Sequence, residues 1–152
     1  METRIVSAFP GIGKSYYFKE NPGDSIDSDY SLFSWVKDEN GKNTKERNPE
    51  FPGNYIKHIK KNIGNYKYIF VSSHKEVREA LKEACLHFYL IYPGIARKGE
   101  FLERYEERGN PDSFINLIDE NWESWITECA LEDRCEKTVL TEGNLTDFLK
   151  II

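Results

Sequence analysis

A glycine-rich segment near the start of the chain combines the residue types that bind phosphate groups. It reads Ala8-Phe9-Pro10-Gly11-Ile12-Gly13-Lys14-Ser15 and lies between a strand-like run and a segment that can form a helix. The two glycines let the backbone turn so that successive amides point at a phosphate, and the start of the helix adds its positive dipole end. Lys14 can reach the β- and γ-phosphates of a nucleoside triphosphate, while the Ser15 hydroxyl can ligate magnesium.

We call residues 8–15 the phosphate loop and predict that it binds ATP with Mg²⁺. The first glycine of the usual pattern is replaced by Ala8, and that position mainly needs a small residue. A chance glycine turn is the alternative, but strand, loop and helix all fall in register. The residues predicted to contact ATP are Pro10, Gly11, Ile12, Gly13, Lys14, Ser15 and Tyr16.

An acidic pair follows the second strand-like run, a short interval after the phosphate loop. Asp27 and Asp29 flank Ser28 at the carboxyl end of that run, the edge where open parallel sheets bind ligands. Two residues apart in an extended segment, both carboxylates point the same way. We expect Asp27 to complete a Mg²⁺ site with Ser15, and one of the pair to accept the proton of an attacking hydroxyl. The structural alternative is that the pair caps a segment starting near Tyr30.

In the order of these features the sequence resembles the P-loop kinase superfamily, in particular the nucleoside monophosphate kinase and shikimate kinase group. It looks most like the short phage-type nucleotide kinases of that group. The resemblance is specific at Gly11 to Ser15, fair at the acidic pair and loose elsewhere. It implies a single three-layer α/β domain over residues 1–152, with a five-stranded parallel sheet whose middle strand leads into the phosphate loop. It also implies an acceptor-binding region at about residues 30–64 and a small lid at about residues 95–110.

The sequence departs from the common pattern of P-loop proteins at the end of the third predicted strand. That strand ends in Ser72-Ser73-His74, where many such proteins carry an aspartate. The carboxylate that supports the metal must then come from Asp27 or Asp29, or Ser72 must act through a water molecule.

Three arginines fall in the segment that the resemblance assigns to the lid. Arg104 and Arg108 are four residues apart, so they share one face of a helix, and Arg97 precedes them. Lid arginines of such kinases close over the transferred phosphate, which implies catalytic roles for Arg104 and Arg108. The alternative is a solvated helix with pairs such as Glu100–Arg104.

Several residues are candidates for binding the phosphoryl acceptor. Arg47 can hold an acceptor phosphate, and Phe51 or Tyr55 can stack on a base. His74 at the mouth of the third strand and Arg97 are further candidate contacts. For the aromatic residues, packing beneath the neighbouring loop is the competing interpretation, and for His74 it is helix capping.

The alternation of apolar patterns along the chain predicts the fold. Five strands are predicted, at residues 3–8, 25–27, 68–71, 88–92 and 138–141. Helical segments separate them, which implies a mostly parallel sheet with helices on both faces. The polar stretch 37–53 is predicted to be a long loop. A late helix carries an apolar stripe, in which we expect both tryptophans to pack in the core: Phe114, Leu117, Ile118, Trp122, Trp125, Ile126 and Cys129.

Composition narrows the class of protein. The 152 residues are 39 % hydrophobic and 31 % charged, as in globular proteins, and the net charge of −5 disfavours non-specific nucleic-acid binding. No apolar run is long enough to span a membrane, and the first residues lack the pattern of a signal peptide, so we expect a cytoplasmic protein. One of the three cysteines cannot pair within the chain, and no His/Cys spacing resembles a zinc site.

The leading hypothesis from the sequence is a Mg²⁺-dependent kinase that phosphorylates a small nucleotide, as a monomer or homodimer. A second hypothesis places the acceptor hydroxyl on a modified pyrimidine in DNA. It requires a basic groove, for which Lys57, Lys60, Lys61 and Lys67 are the candidates. A third hypothesis is a nucleotide-binding module that transfers nothing.

Overall fold

The main sheet of the protein is parallel and has five strands. In the computed structural model, which describes residues 2–149, these strands are β1 (Arg4–Ala8), β2 (Ser25–Asp27), β5 (Tyr68–Ser72), β6 (Tyr89–Pro93) and β7 (Glu136–Leu140). Their order is β2-β5-β1-β6-β7, so the strand that leads into the phosphate loop lies in the middle. All five residues of β5 are buried, as expected for an inner strand covered on both faces. The predicted α/β class and five-stranded parallel sheet are therefore confirmed.

Seven helices flank the sheet in the described part of the chain. They are α1 (Lys14–Glu20), α2 (Ser31–Ser34), α3 (Gly53–Asn62), α4 (Lys75–Glu83), α5 (Lys98–Glu107), α6 (Asp112–Leu131) and α7 (Leu145–Leu149). Helix α3 contacts α4, and α4 is joined to α6 by the ion pair of Arg78 with Glu128, while α1 contacts α7, a division between two faces of the sheet that the right-handed crossover rule predicts. None of these helices is both long enough and apolar enough to cross a membrane.

A second, smaller sheet corrects the prediction that residues 37–53 form a loop. Strands β3 (Trp35–Lys37) and β4 (Asn43–Arg47) pair as an antiparallel hairpin. In its turn, Asp38 Oδ1 accepts hydrogen bonds of 2.9 Å from the amides of Asn40 and Lys42, and Gly41 has a φ of 76°. The Asn40-Gly41 pair was the hairpin signal in the sequence, but the polar residues of β4 on one side of it hid the pattern.

Aromatic packing ties the phosphate loop to α6. Phe9 is 2 % exposed and its ring meets the edge of Trp122 with centroids 5.5 Å apart. The Trp122 indole nitrogen donates a hydrogen bond of 2.8 Å to the carbonyl of Ile95, just before α5. Trp122 is therefore a core residue, as predicted, and it fixes the phosphate loop relative to α5 and α6.

Candidate functional site

One large cavity opens at the carboxyl edge of the main sheet. Its volume is about 1380 Å³, and its floor includes the phosphate loop and the acidic pair. Most of the residues predicted from the sequence to form the site border this cavity: Pro10, Gly11, Gly13, Lys14, Ser15, Tyr16, Asp27, Asp29, Arg47, Phe51, His74 and Arg108. Ile12, Tyr55, Arg97 and Arg104 do not border it, and each has a structural contact described below.

The backbone of the phosphate loop has the turns that its glycines predict. Gly11 has a φ of 82° and Gly13 a φ of 112°, values that disfavour any residue with a Cβ atom. The Ile12 side chain is fully buried, and its carbonyl accepts a 2.8 Å hydrogen bond from the amide of Leu145. The loop is thus anchored from beneath by Ile12, while Lys14 and Ser15 face the cavity.

Helix α5 packs directly against the outer side of this loop. Tyr105 donates a 2.7 Å hydrogen bond to the carbonyl of Pro10, and Arg104 donates one of 2.9 Å to the carbonyl of Gly11. A Cβ atom at Gly11 would lie only 2.7 Å from Tyr105 Cε1. Gly11 is therefore required twice, for its positive φ and for the close approach of α5.

Lys14 lies near charges of both signs. Burial lowers the pKa of its ammonium group, the carboxylates of Asp27 and Asp29 raise it, and Arg108 lowers it slightly further. Lys14 has no ion pair within 4 Å among residues 2–149. Its charge is therefore balanced only at longer range, which leaves the ammonium hydrogens available to an anion in the cavity.

The two aspartates differ in the partners they have. Asp29 Oδ1 accepts a 2.9 Å hydrogen bond from the amide of Ser31, so the capping interaction considered from the sequence is present at this residue. Asp27 has no side-chain hydrogen bond or ion pair to any other described residue. Both aspartates are exposed and border the cavity, and Asp27 has both carboxylate oxygens free.

Ser28 anchors the acidic pair from beneath. It is 4 % exposed, and its Oγ lies 2.9 Å from Nε2 of His58. Its carbonyl accepts a hydrogen bond from the hydroxyl of Tyr55, and its amide donates one of 2.9 Å to the carbonyl of Phe70. Tyr55, a predicted base-stacking residue, is fully buried here, so the structure places it as a support for the acidic pair.

The three arginines of the predicted lid have different surroundings. Arg97 is 9 % exposed and donates 3.0 Å hydrogen bonds to the carbonyls of Leu140 and Gly143. Arg104 bonds the Gly11 carbonyl and pairs with Glu100 at 2.7 Å. The solvated-helix alternative is thus partly realised, because Glu100 bridges two of the arginines.

Arg108 is the one of these three arginines that borders the cavity. It is exposed, lies 5.9 Å from the centre of the Tyr105 ring, and has no ion pair among the described residues. Its guanidinium is close enough to Lys14 to affect the pKa of that residue. Arg108 is therefore the lid arginine whose charge is free to meet a phosphate group.

Arg47 and Phe51 lie on the opposite wall of the cavity, beside the hairpin. The Arg47 guanidinium is 5.3 Å from the Trp35 ring centre and 5.2 Å from the Phe51 ring centre. It also forms two hydrogen bonds with Glu76, of 3.0 and 2.9 Å. Because both ends of this ion pair are about half exposed, the pair is weak and can exchange for an anionic ligand.

His74 lies where β5 leads into α4. Its ring packs on Tyr30 with centroids 4.2 Å apart, and its Nδ1 contacts the Ser72 hydroxyl. Burial of the ring lowers the pKa of His74, and the nearby charge of Lys14 lowers it further. The imidazole is therefore neutral at pH 7. His74 is also the N-cap residue of α4, although its side chain makes no capping bond.

The four lysines proposed as a DNA-binding groove do not border the cavity. Helix α3 ends at Asn62, and the amide of Gly64 donates a 2.8 Å hydrogen bond to the hydroxyl of Thr3, just before β1. Lys67 lies beside the same end of β1, where its carbonyl accepts a bond from the amide of Arg4. Lys60, Lys61 and Lys67 are therefore near the amino edge of the sheet, opposite the phosphate loop.

Sequence reasoning missed part of the cavity wall. Trp125 was expected in the core, yet it is only partly buried and borders the cavity together with Phe114 and Leu117. Tyr30 also borders the cavity. In the sequence these α6 residues belong to the apolar stripe of the helix, and that pattern alone does not separate residues that face the core from residues that face a cavity.

The site can be compared with the needs of ATP and Mg²⁺. Among the described residues, no group of three or more His, Cys, Asp or Glu side chains is placed to hold a metal ion. Mg²⁺ is commonly bound by one or two protein carboxylates together with oxygens of the substrate phosphates. The carboxylate of Asp27 and the hydroxyl of Ser15 are suited to supply the protein ligands of such a site. No protein-family model matches this chain, and neither does any curated protein.

Proposed function

We propose that the protein is a Mg²⁺-dependent phosphotransferase that moves the γ-phosphate of ATP to a small nucleotide, a (deoxy)nucleoside monophosphate. The observation that carries this proposal is that the phosphate loop, the acidic pair and Arg108 border one cavity. Those three elements are far apart in the sequence and have the charges that phosphoryl transfer requires.

Each residue has a role that follows from its surroundings. Lys14 and the amides of the phosphate loop hold the β- and γ-phosphates of ATP, since Lys14 has no competing ion pair within residues 2–149. Ser15 and Asp27 would hold Mg²⁺, which would neutralise part of the charge of the phosphates. Arg108 approaches the γ-phosphate from the side of α5 and stabilises the charge that develops during transfer.

The acceptor approaches from the side of β2 and the hairpin. A phosphate acceptor needs no proton removed before it attacks, so no base is required, and Arg47 would bind its negative charge. An acceptor hydroxyl would instead need a base, and Asp29 keeps one carboxylate oxygen free for that purpose. The residues of the site thus support transfer to a phosphate oxygen or to a hydroxyl oxygen, and the positive charge of Arg47 favours the phosphate.

The test is the release of ADP from ATP and Mg²⁺ in the presence of candidate acceptors. The panel contains nucleosides, nucleoside monophosphates, shikimate-like metabolites and hydroxymethylated DNA, with Lys14→Ala as the control. Acceptor-dependent release by a nucleoside monophosphate, lost in the variant, is the expected result. Release of ADP only with hydroxymethylated DNA would show that the acceptor is a hydroxyl on DNA and not a free nucleotide. Tight ATP binding with no ADP release on any acceptor would show that the protein is a nucleotide-binding module and not an enzyme.

A further inference from the structure

The cavity extends beyond the phosphate loop into a groove between α4 and α6. We call this part the α4–α6 arm, and it is bordered by Val77, Ala80, Phe114, Leu117, Ile118 and Trp125. Leu117 is a large apolar side chain that is 49 % exposed. An apolar and aromatic groove that continues directly from the reacting groups is suited to the part of a substrate that does not react.

The two helices are held in place at the inner end of this arm by buried ion pairs. Glu132, after α6, lies 3.3 Å from Arg78 and 3.2 Å from Lys82, which are both on α4. The side chains of all three are at most 7 % exposed. Arg78 also donates a 2.9 Å hydrogen bond to the carbonyl of Ser73. The spacing of α4 and α6 is therefore set before any ligand binds, so the arm is preformed.

The charges of the cavity divide it into two regions. Glu79, Glu83 and Glu128 border the arm, and the one cation that borders it among the described residues, Arg78, is already paired. In the rest of the cavity the cations are Lys14, Arg47, Lys75 and Arg108. Phosphate groups are repelled from the arm and attracted to the phosphate loop, so the ligand group that enters the arm is uncharged.

We propose that the α4–α6 arm binds the nucleobase of the phosphoryl acceptor, while the reacting oxygen of the acceptor lies at the phosphate loop. A flat, uncharged ring would pack against Leu117 and Trp125 on α6, with Ala80 on the α4 side of the groove. This inference rests on the proposed function and adds to it the residues that select the acceptor.

The arm is tested with Leu117→Asn and the matched control Leu131→Asn. Leu131 is at the end of the same helix, is 78 % exposed and does not border the cavity. For deoxynucleoside monophosphates, we expect Leu117→Asn to raise KM and the calorimetric Kd about tenfold, with the affinity for Mg-ATP unchanged. The control should change neither constant. Equal acceptor constants in the wild type and Leu117→Asn would overturn the proposal.

A second variant tests the shape of the arm without removing its apolar character. Leu117→Trp narrows the groove, so we expect the KM for purine monophosphates to rise about threefold more than the KM for pyrimidine monophosphates. An equal effect on both classes would contradict a base bound in the arm. The same variants are also measured with a hydroxymethylated single-stranded oligonucleotide as the acceptor. The acceptor whose KM responds to the Leu117 substitutions shows whether the base in the arm belongs to a free nucleotide or to DNA.

Failure of this proposal is distinguishable from failure of the proposed function. If the wild type does not bind Mg-ATP in calorimetry, the phosphotransferase itself is wrong. If Mg-ATP binds and is turned over with an acceptor, but neither Leu117 variant changes the acceptor constants, only the assignment of the arm is wrong.

Discussion

The charged side chains in and just before α5 differ from those on the floor of the cavity in the partners they already have. Arg97 and Arg104 are bound to backbone carbonyls and to Glu100. Lys14 and Asp27 have no ion pair within the described residues, although they are near several charged groups. Arg97 and Arg104 therefore stabilise the fold, whereas Lys14 and Asp27 are free to bind a ligand.

This difference shows why charge and position in the sequence do not by themselves identify a catalytic residue. Arg104 in α5 and Arg108 at the C-cap of α5 are one helical turn apart, yet Arg104 bonds the Gly11 carbonyl and Arg108 borders the cavity. A side chain that already satisfies a backbone group loses that bond when it turns to a substrate. The comparison predicts that substitutions of Lys14 and Asp27 reduce activity strongly, and that substitutions of Arg97 and Arg104 reduce stability.

The largest effect is expected at Lys14. Lys14→Ala should lower kcat/KM for ATP about a thousandfold, because the variant loses the cation that holds the transferred phosphate. The free energy of unfolding should stay within about 0.5 kcal/mol of the wild type. ADP release and urea unfolding measure the two quantities. Lys19→Ala, which changes an exposed lysine of the same helix, should leave both unchanged.

Substitutions of the two aspartates should differ in their effects on activity and on stability. Asp27→Ala should lower kcat about a hundredfold with unchanged stability, because this carboxylate has no partner among the described residues. Asp29→Ala should also reduce activity, and it should cost about 1 kcal/mol of stability because it removes the bond to the Ser31 amide. Equal stability of the two variants in urea unfolding would contradict the capping role of Asp29.

Arg97 should matter for stability. Arg97→Leu removes the hydrogen bonds to the carbonyls of Leu140 and Gly143, and only the Leu140 carbonyl keeps a second donor, the amide of Gly94, so we expect a loss of about 2 kcal/mol in the free energy of unfolding. The KM values of the folded variant should stay near those of the wild type. A variant as stable as the wild type, but with weakened acceptor binding, would restore the substrate-binding role predicted from the sequence.

Arg108 and Arg104 provide a matched pair on one helix. Arg108→Ala should lower kcat about tenfold with little change in stability, because its guanidinium acts on the phosphates alone. Arg104→Ala should cost about 1 kcal/mol of stability through the lost bond to Gly11. Steady-state kinetics and unfolding of both variants test the distinction, which fails if Arg104→Ala has the larger effect on kcat at unchanged stability.

The smallest effect is a dependence of stability on pH. The pKa values of His58 and His74 are lowered in the folded protein, chiefly by burial, whereas unfolding returns them to about 6.5. The unfolded chain therefore takes up more protons as the pH falls through that value, and the free energy of unfolding decreases. We expect a decrease between pH 7.5 and 5.5 that becomes smaller in the double variant His58→Gln, His74→Gln. An unchanged slope would show that other groups cause it.

The elements that the sequence predicted correctly are those with strong local patterns. The buried run of β5 and the glycines of the phosphate loop each restrict the local backbone, so their structures follow from a few residues. The hairpin was missed because β4 consists of polar and charged residues, a composition that is also typical of a loop. The partners of Arg97, Arg104 and Tyr55 were also beyond sequence reasoning, because they depend on carbonyl groups brought together by the tertiary fold.

The measurement that tests the central claim most directly follows the γ-phosphate itself. Wild-type protein and Lys14→Ala are incubated with Mg²⁺, ATP labelled at the γ-phosphate and an equimolar mixture of deoxynucleoside monophosphates, and the labelled products are separated. The account predicts labelled deoxynucleoside diphosphate with the wild type and at least about a hundredfold less with the variant. Label that remains in ATP, appears only as free phosphate, or is transferred equally by the variant would contradict it.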